Sequence, residues 1–178
     1  MTFSKVRALI FVAVLFVTAG IVVIMAIGRD TQTQASHQQS CKPGEVPAHN
    51  DMPERDQVKL NVFNGTSRVG LAEDIGAQFK TRGFVIGKME TAPARADKKP
   101  YDNIATIIYG PEAVGAAALV SAYFLANQAT MQFNIKRTGP EVDVILGTQF
   151  QQLATTTEVN QSIAIIGRPP LEPGTCEA

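Results

Sequence analysis

The chain has 178 residues, 45% of them hydrophobic, with 16 basic and 16 acidic side chains. That length allows one medium domain with accessory segments and enough apolar surface for a real core. A formal charge of zero leaves no bulk electrostatic pull toward nucleic acid.

Residues 1–7 are read as a short cytoplasmic N-terminus. From Ala8 to Ile27 the sequence carries no charged side chain, and at about 1.5 Å per residue a helix of that length crosses a hydrocarbon core of roughly 30 Å. A cleaved signal peptide is the rival reading; its apolar part would run about 7–15 residues and end in an A-x-A-like pattern. Here the run ends Met25-Ala26-Ile27-Gly28, and no cysteine follows Thr18-Ala19-Gly20 to make a lipoprotein site. Residues 8–27 are therefore expected to be a single transmembrane anchor. Lys5, Arg7 and the amino terminus lie on one side, Arg29 beside Asp30 on the other. The positive-inside rule places the N-terminus in the cytoplasm and the rest of the chain outside, in a single-pass topology. The outer part is mildly acidic, which names no partner.

Residues 28–57 are polar and rich in Gln, Ser, Pro and charge, and read as a flexible tether. His37, Cys41 and His49 lie here without ligand spacing, so no metal is expected. The two cysteines, Cys41 and Cys176, bracket the folded region. An even count in an exported chain reads as a disulfide, the alternative being two unrelated thiols in flexible ends.

The domain is expected over 58–150. A strand over about 58–63, with Val58 and Leu60 alternating with Lys59 and Asn61, stops at Asn64-Gly65. A helix over about 70–81 follows, with Leu71, Ala72, Ile75, Gly76 and Phe79 on one face. Glu73 and Asp74 occupy its first turn, where the helix dipole favours acids. Gly83 is a natural stop. Phe84 to Met89 makes a second strand, and a β-α-β unit of this kind is parallel and right-handed within one sheet. The loop from Glu90 to Asp102 holds Arg95, Lys98 and Lys99, read as a solvated basic cluster rather than a phosphate or acidic-glycan site. Asn103 to Tyr109 is a nearly continuous apolar strand and hence central. Pro111 and Glu112 open a small-residue helix running to about Asn127. Strands over 131–136 and 142–146 complete the domain. The fold class is α+β, two helices packed on one mixed β-sheet in a β-α-β-β-α-β-like order, with one extra strand allowed. Residues 151–178 read as a C-terminal tail tied back by the disulfide, with Ser162 to Ile166 as a short edge element.

Three pieces in order resemble one family: Val62-Phe63-Asn64-Gly65-Thr66, then Gly70-Leu71-Ala72 opening a helix that ends Arg82-Gly83-Phe84, then Val144-Ile145-Leu146-Gly147-Thr148-Gln149-Phe150. Together they are similar to the LytR C-terminal domain family over about residues 59–150. With one anchor, a tether and a cysteine at either end, the whole chain is similar to actinobacterial envelope integrity proteins. The resemblance implies a membrane-anchored, extracytoplasmic, non-catalytic protein that helps keep the cell envelope intact. The implied partners are the membrane, through the anchor, and an envelope glycan, lipid or envelope-assembly protein. In larger relatives such a domain follows a LytR-CpsA-Psr phosphotransferase domain, for which the stretch between anchor and first strand leaves no room.

The residues agree with a binding role. After His49 there is no histidine to serve as base for a serine or cysteine nucleophile, so no catalytic residue is assigned and no cofactor is expected. The loop from Gly65 to Gly70 has the G-x-x-x-x-G spacing of a phosphate loop, but Leu71 and Ala72 stand where Lys and Ser or Thr would contact phosphate and magnesium. Asn64, Gly65 and Thr66 remain as candidate binding residues. An envelope glycan or lipid hydrolase or transferase built from distant carboxylates is the alternative. No feature of the sequence sets an oligomeric state.

Overall fold

The computed structural model describes residues 41–94, 100–125 and 128–178. The expected anchor at 8–27, His37 and the cluster Arg95, Lys98 and Lys99 lie outside the described residues. Among those residues no helix is long and apolar enough to cross a membrane.

The main sheet has five strands: β2 (Lys59–Asn64), β3 (Val85–Thr91), β4 (Ala105–Tyr109), β5 (Thr130–Phe133) and β6 (Val142–Leu146). Their spatial order is β3-β2-β6-β4-β5. Helix α1 (Leu71–Thr81) links β2 to β3, and the two strands are parallel. Helix α2 (Val114–Ser121), entered through a 3-10 turn at Pro111–Ala113, lies between β4 and β5, which are also parallel. The sheet thus holds two β-α-β units running in opposite directions. Between them sits β6, parallel to β2 and antiparallel to β4. Its Val142, Val144 and Leu146 are fully buried, as the apolar run V-D-V-I-L requires of a central strand.

The register aligns one face of the sheet into rows. Leu60 is level with Val142, and Val62 with Val144 and Ile107. These side chains form one core with buried residues of the helices, among them Phe79, Ala117, Val120 and Val159. Full burial of a Val, Leu, Ile or Phe side chain contributes about 1.5–3 kcal/mol. Phe79 anchors the centre: its ring lies 5.4 Å from Phe84, 5.6 Å from Tyr123 and 6.4 Å from Phe124. Helix α2 is buried along its whole length, and its alanines let it sit close to the sheet. It is shorter than expected, ending at Ser121 rather than near Asn127.

A third helix corrects the two-helix expectation. α3 (Thr156–Ile166) includes the run from Ser162 to Ile166 that was expected to be an edge element. Thr155 caps it, its hydroxyl accepting from the Glu158 N–H, while the Glu158 carboxylate accepts from the Thr155 N–H at 2.7 Å. This reciprocal box fixes a helix start in a stretch with little apolar periodicity. Val159 is buried in the core, and Ile163 and Ile166 pack against it.

The stretch read as tether is built into the fold over its described part. β1 (Val46–Ala48) pairs in parallel with β7 (Thr175–Glu177) as a second, two-stranded sheet. Cys41 and Cys176 form a disulfide beside it, with Cα atoms 5.5 Å apart and a sequence separation of 135. The chain then lies along the start of α2: the His49 N–H donates to Pro111 O at 3.0 Å, and the Gly115 N–H donates to His49 O at 2.9 Å. Asn50, buried, donates from Nδ2 to Pro169 O at 2.9 Å, joining the N- and C-terminal segments.

Candidate binding site on the helix-free face of the sheet

All three helices contribute to the core on one face of the sheet. The alternate residues of the central strands therefore point to a face without a helix. Three of those residues, Phe63, Ile108 and Ile145, are apolar where polar ones are the common choice on a solvated sheet face, and they stand beside the polar Asn61, Thr106 and Asp143. Phe63 of β2 is level with Ile145 of β6, and Ile108 of β4 with Asp143. Phe63, Ile108 and Ile145 stand outside the main core cluster. With Glu90, Thr91, Pro93 and Asp143 they line an open hollow of about 250 Å³. Its floor is apolar, and its rim offers two carboxylates and a hydroxyl.

Asp143 is fixed. Its Oδ1 accepts from Asn61 Nδ2 at 2.7 Å and its Oδ2 from Arg137 at 2.6 Å. Arg137 also donates to Glu141 O at 3.3 Å, and Glu141 pairs with Lys59 at 3.2 Å. The hydrogen bond to Asp143 holds the Arg137 guanidinium above its ordinary pKa, against the opposing effect of burial. A carboxylate with both oxygens engaged in this way is a structural anion, poorly placed to shuttle protons. Glu90 lies across the hollow on the edge strand.

The three residues singled out from sequence lie at the end of this face. The Asn64 Oδ1 accepts from the Thr66 N–H at 3.0 Å and from the Thr66 hydroxyl at 2.8 Å, and Asn64 Nδ2 donates to Arg68 O. The Thr66 hydroxyl in turn accepts from the Arg68 N–H at 3.0 Å. Their polar groups thus close a turn on itself. Gly65 donates to Leu146 O at 2.9 Å, and a Cβ there would stand 2.7 Å from that oxygen and 2.8 Å from the Tyr101 ring. The loop after β6 is adjacent: Arg68 donates to Phe150 O at 2.9 Å, and the Thr148 N–H to Tyr101 O at 2.7 Å. The first and last of the three sequence signatures meet at one junction, where the ends of β2 and β6 are tied together.

Residues 57–150 match the family described as the LytR cell envelope-related transcriptional attenuator. The chain belongs to the LytR C-terminal domain family. Among solved structures it is similar to the soluble domain of a conserved hypothetical secreted protein, an Rv2700 ortholog, from Mycobacterium marinum. The identity is 26%, the TM-score 0.54, and the match covers 71% of this chain and 81% of that one. No curated protein matches. The family match begins two residues before β2 and ends at Phe150, so it spans the main sheet, α1 and α2, and leaves β1, α3 and β7 outside.

Sequence reasoning passed over Phe63, Ile108, Ile145, Glu90 and Asp143. The signal was present. Phe63 and Ile145 are apolar residues out of phase with the buried alternation of their strands, which is how a second apolar face shows in a sequence. Among the described residues no group of three His, Cys, Asp or Glu side chains is placed to hold a metal ion.

Proposed function

We propose that this protein is a membrane-anchored module of the cell envelope that binds a hydroxyl-bearing envelope ligand, a glycan or lipid headgroup, on the helix-free sheet face. Its envelope setting is supported by the family and by the secreted neighbour. The anchor at residues 8–27 holds it at the membrane with the domain outside. The observation that carries the reading is the hollow over Phe63, Ile108 and Ile145. An aromatic and aliphatic floor takes the C–H face of a ring or chain, while carboxylates and a threonine at the rim accept and donate hydrogen bonds to hydroxyls. The fixed Asp143 favours binding over turnover.

The test is a titration of the full chain in detergent micelles with cell-wall polysaccharide fragments and with envelope lipids. Saturable binding is expected, weakened about five-fold or more by Phe63→Ala or Glu90→Gln and unchanged by Glu73→Gln on α1. Absence of saturable binding to either class would reject the proposal. Turnover of a bound polymer that disappears in Asp143→Asn would replace it with a carboxylate-based hydrolase or transferase.

A further inference from the structure

β3 is an edge strand, pairing with β2 alone. Its outer side is uncovered among the described residues, and Val85 and Met89 are 47% and 42% exposed. Edge strands are ordinarily blunted because a row of free N–H and C=O groups is a template for pairing; β3 has one extra residue between Ile86 and Met89, so its regular alternation toward a partner runs from Lys88 onward. The Ala92 N–H bonds inward to Asn64 O, and the Lys88 N–H inward to Asn61 Oδ1 at 2.9 Å. By alternation the Met89 and Thr91 N–H groups point outward. Above the edge, α1 and β3 enclose an apolar groove of about 540 Å³ lined by Glu73, Gly76, Ala77 and Lys80 of the helix and by Ile86 and Met89 of the strand. Met89 lies directly beneath Gly76, where a Cβ would collide with its sulfur.

This edge is self-complementary. In an antiparallel pairing of two β3 strands centred on Met89, each Met89 faces its copy as a hydrogen-bonded pair. Lys88 then stands opposite Glu90, twice, on the face away from the helices. The same two-fold axis passes beside Gly76, because Gly76 sits over Met89. On α1 the axis therefore falls near Gly76 and Ala77, whose small side chains permit close approach, and it brings Glu73 of each helix toward Lys80 of the other. Two independent elements place unlike charges at equal distances on either side of one axis. We infer that the occupant of the edge and its groove is a second copy of this chain, and that the protein is a two-fold dimer with one continuous ten-stranded sheet.

Sedimentation velocity of the full chain in density-matched detergent tests the inference. The wild-type chain is expected to be dimeric. Lys88→Glu or Glu90→Lys alone turns two attractive pairs into two repulsive ones and should weaken the dimer about ten-fold or more. The double variant Lys88→Glu/Glu90→Lys, with the pairs reversed, should return within about three-fold of wild type. The variant Met89→Cys should form a disulfide between copies under mild oxidation, since Cα atoms of a hydrogen-bonded pair lie about 5.5 Å apart. A monomeric wild type at about 100 μM, which would put the dimer weaker than roughly 5–6 kcal/mol, would overturn the inference. So would a dimer indifferent to either single charge reversal, or a double variant that stays monomeric.

Discussion

Gly115, in the first turn of α2, lies against the backbone carbonyl of Asp51, so close that a Cβ at this position would overlap the carbonyl oxygen and carbon. The N-terminal segment can lie flat on α2 because this helix position has no side chain. Gly115→Ala is expected to lift the segment or displace the helix. Overpacking of this kind costs about 1–3 kcal/mol, although alanine recovers up to about 1 kcal/mol of helix propensity. A net fall in Tm of about 2–8 °C is expected by calorimetry, accompanied by faster hydrogen exchange at the His49 amide.

The Cys41–Cys176 bridge closes a loop spanning 135 positions. In the chain-entropy model a loop of this size stabilises the fold by on the order of 4–5 kcal/mol. Urea unfolding with and without reductant should show a loss of that order, and thiol labelling of the unreduced protein should find neither Cys41 nor Cys176 free. The m-value should rise in the reduced protein, because the unfolded chain then exposes more surface.

Asp143 is expected to matter more to stability than its position at the rim of a hollow implies. Asp143→Ala removes the partner of both Asn61 and Arg137 and leaves Arg137 half-buried without its carboxylate. Arg137 Nε already has no hydrogen-bond partner among the described residues. A loss of about 2–4 kcal/mol is expected by urea unfolding. Asp143→Asn, which retains an acceptor, should lose less.

Stability should fall on the alkaline side through Tyr109. Burial raises its pKa above the ordinary 10.0, and a hydrogen bond to the Glu172 carboxylate raises it further. Below about pH 10 the phenol is protonated in both folded and unfolded chains, and its contribution is complete. Above that, the unfolded chain ionises first, so stability declines as pH rises toward the folded-state value. Tyr123 shifts in the same direction, chiefly by burial. Urea unfolding at pH 8, 10 and 11 should therefore show a decline above about pH 10. Tyr109→Phe should reduce its slope while losing about 1 kcal/mol at neutral pH.

The elements that sequence periodicity placed well are those with one clear buried face. The strand before Asn64-Gly65, the helix from about residue 70 to Thr81 and the strand Val142 to Leu146 all stand within a residue of expectation. Thr156–Ile166 was missed for a physical reason. Only Val159 is buried in this helix, and a helix that offers the core so narrow a face leaves little apolar period. Its mark was instead the Thr155–Glu158 capping box. The position of β6 between β2 and β4 depends on pairings between residues about 80 and 40 apart, which no local pattern encodes. The pairing of β1 with β7 joins the two ends of the domain and was equally hidden, although the cysteine pair hinted at it. At the candidate site, Asn64, Gly65 and Thr66 were conspicuous because turn chemistry is local. The hollow beside them needs three strands in register before Phe63, Ile108 and Ile145 come together.

The disulfide also sets how the domain carries mechanical load. A pull applied to the chain ahead of Cys41 divides there between two covalent routes, one through residues 42–58 and one through Cys176 into residues 167–175. Neither route can peel away while the other holds, so β1 and β7 must fail together. Tension arriving at Cys41 is thus shared between both ends of the domain, and the main sheet between them is shielded while the bridge holds.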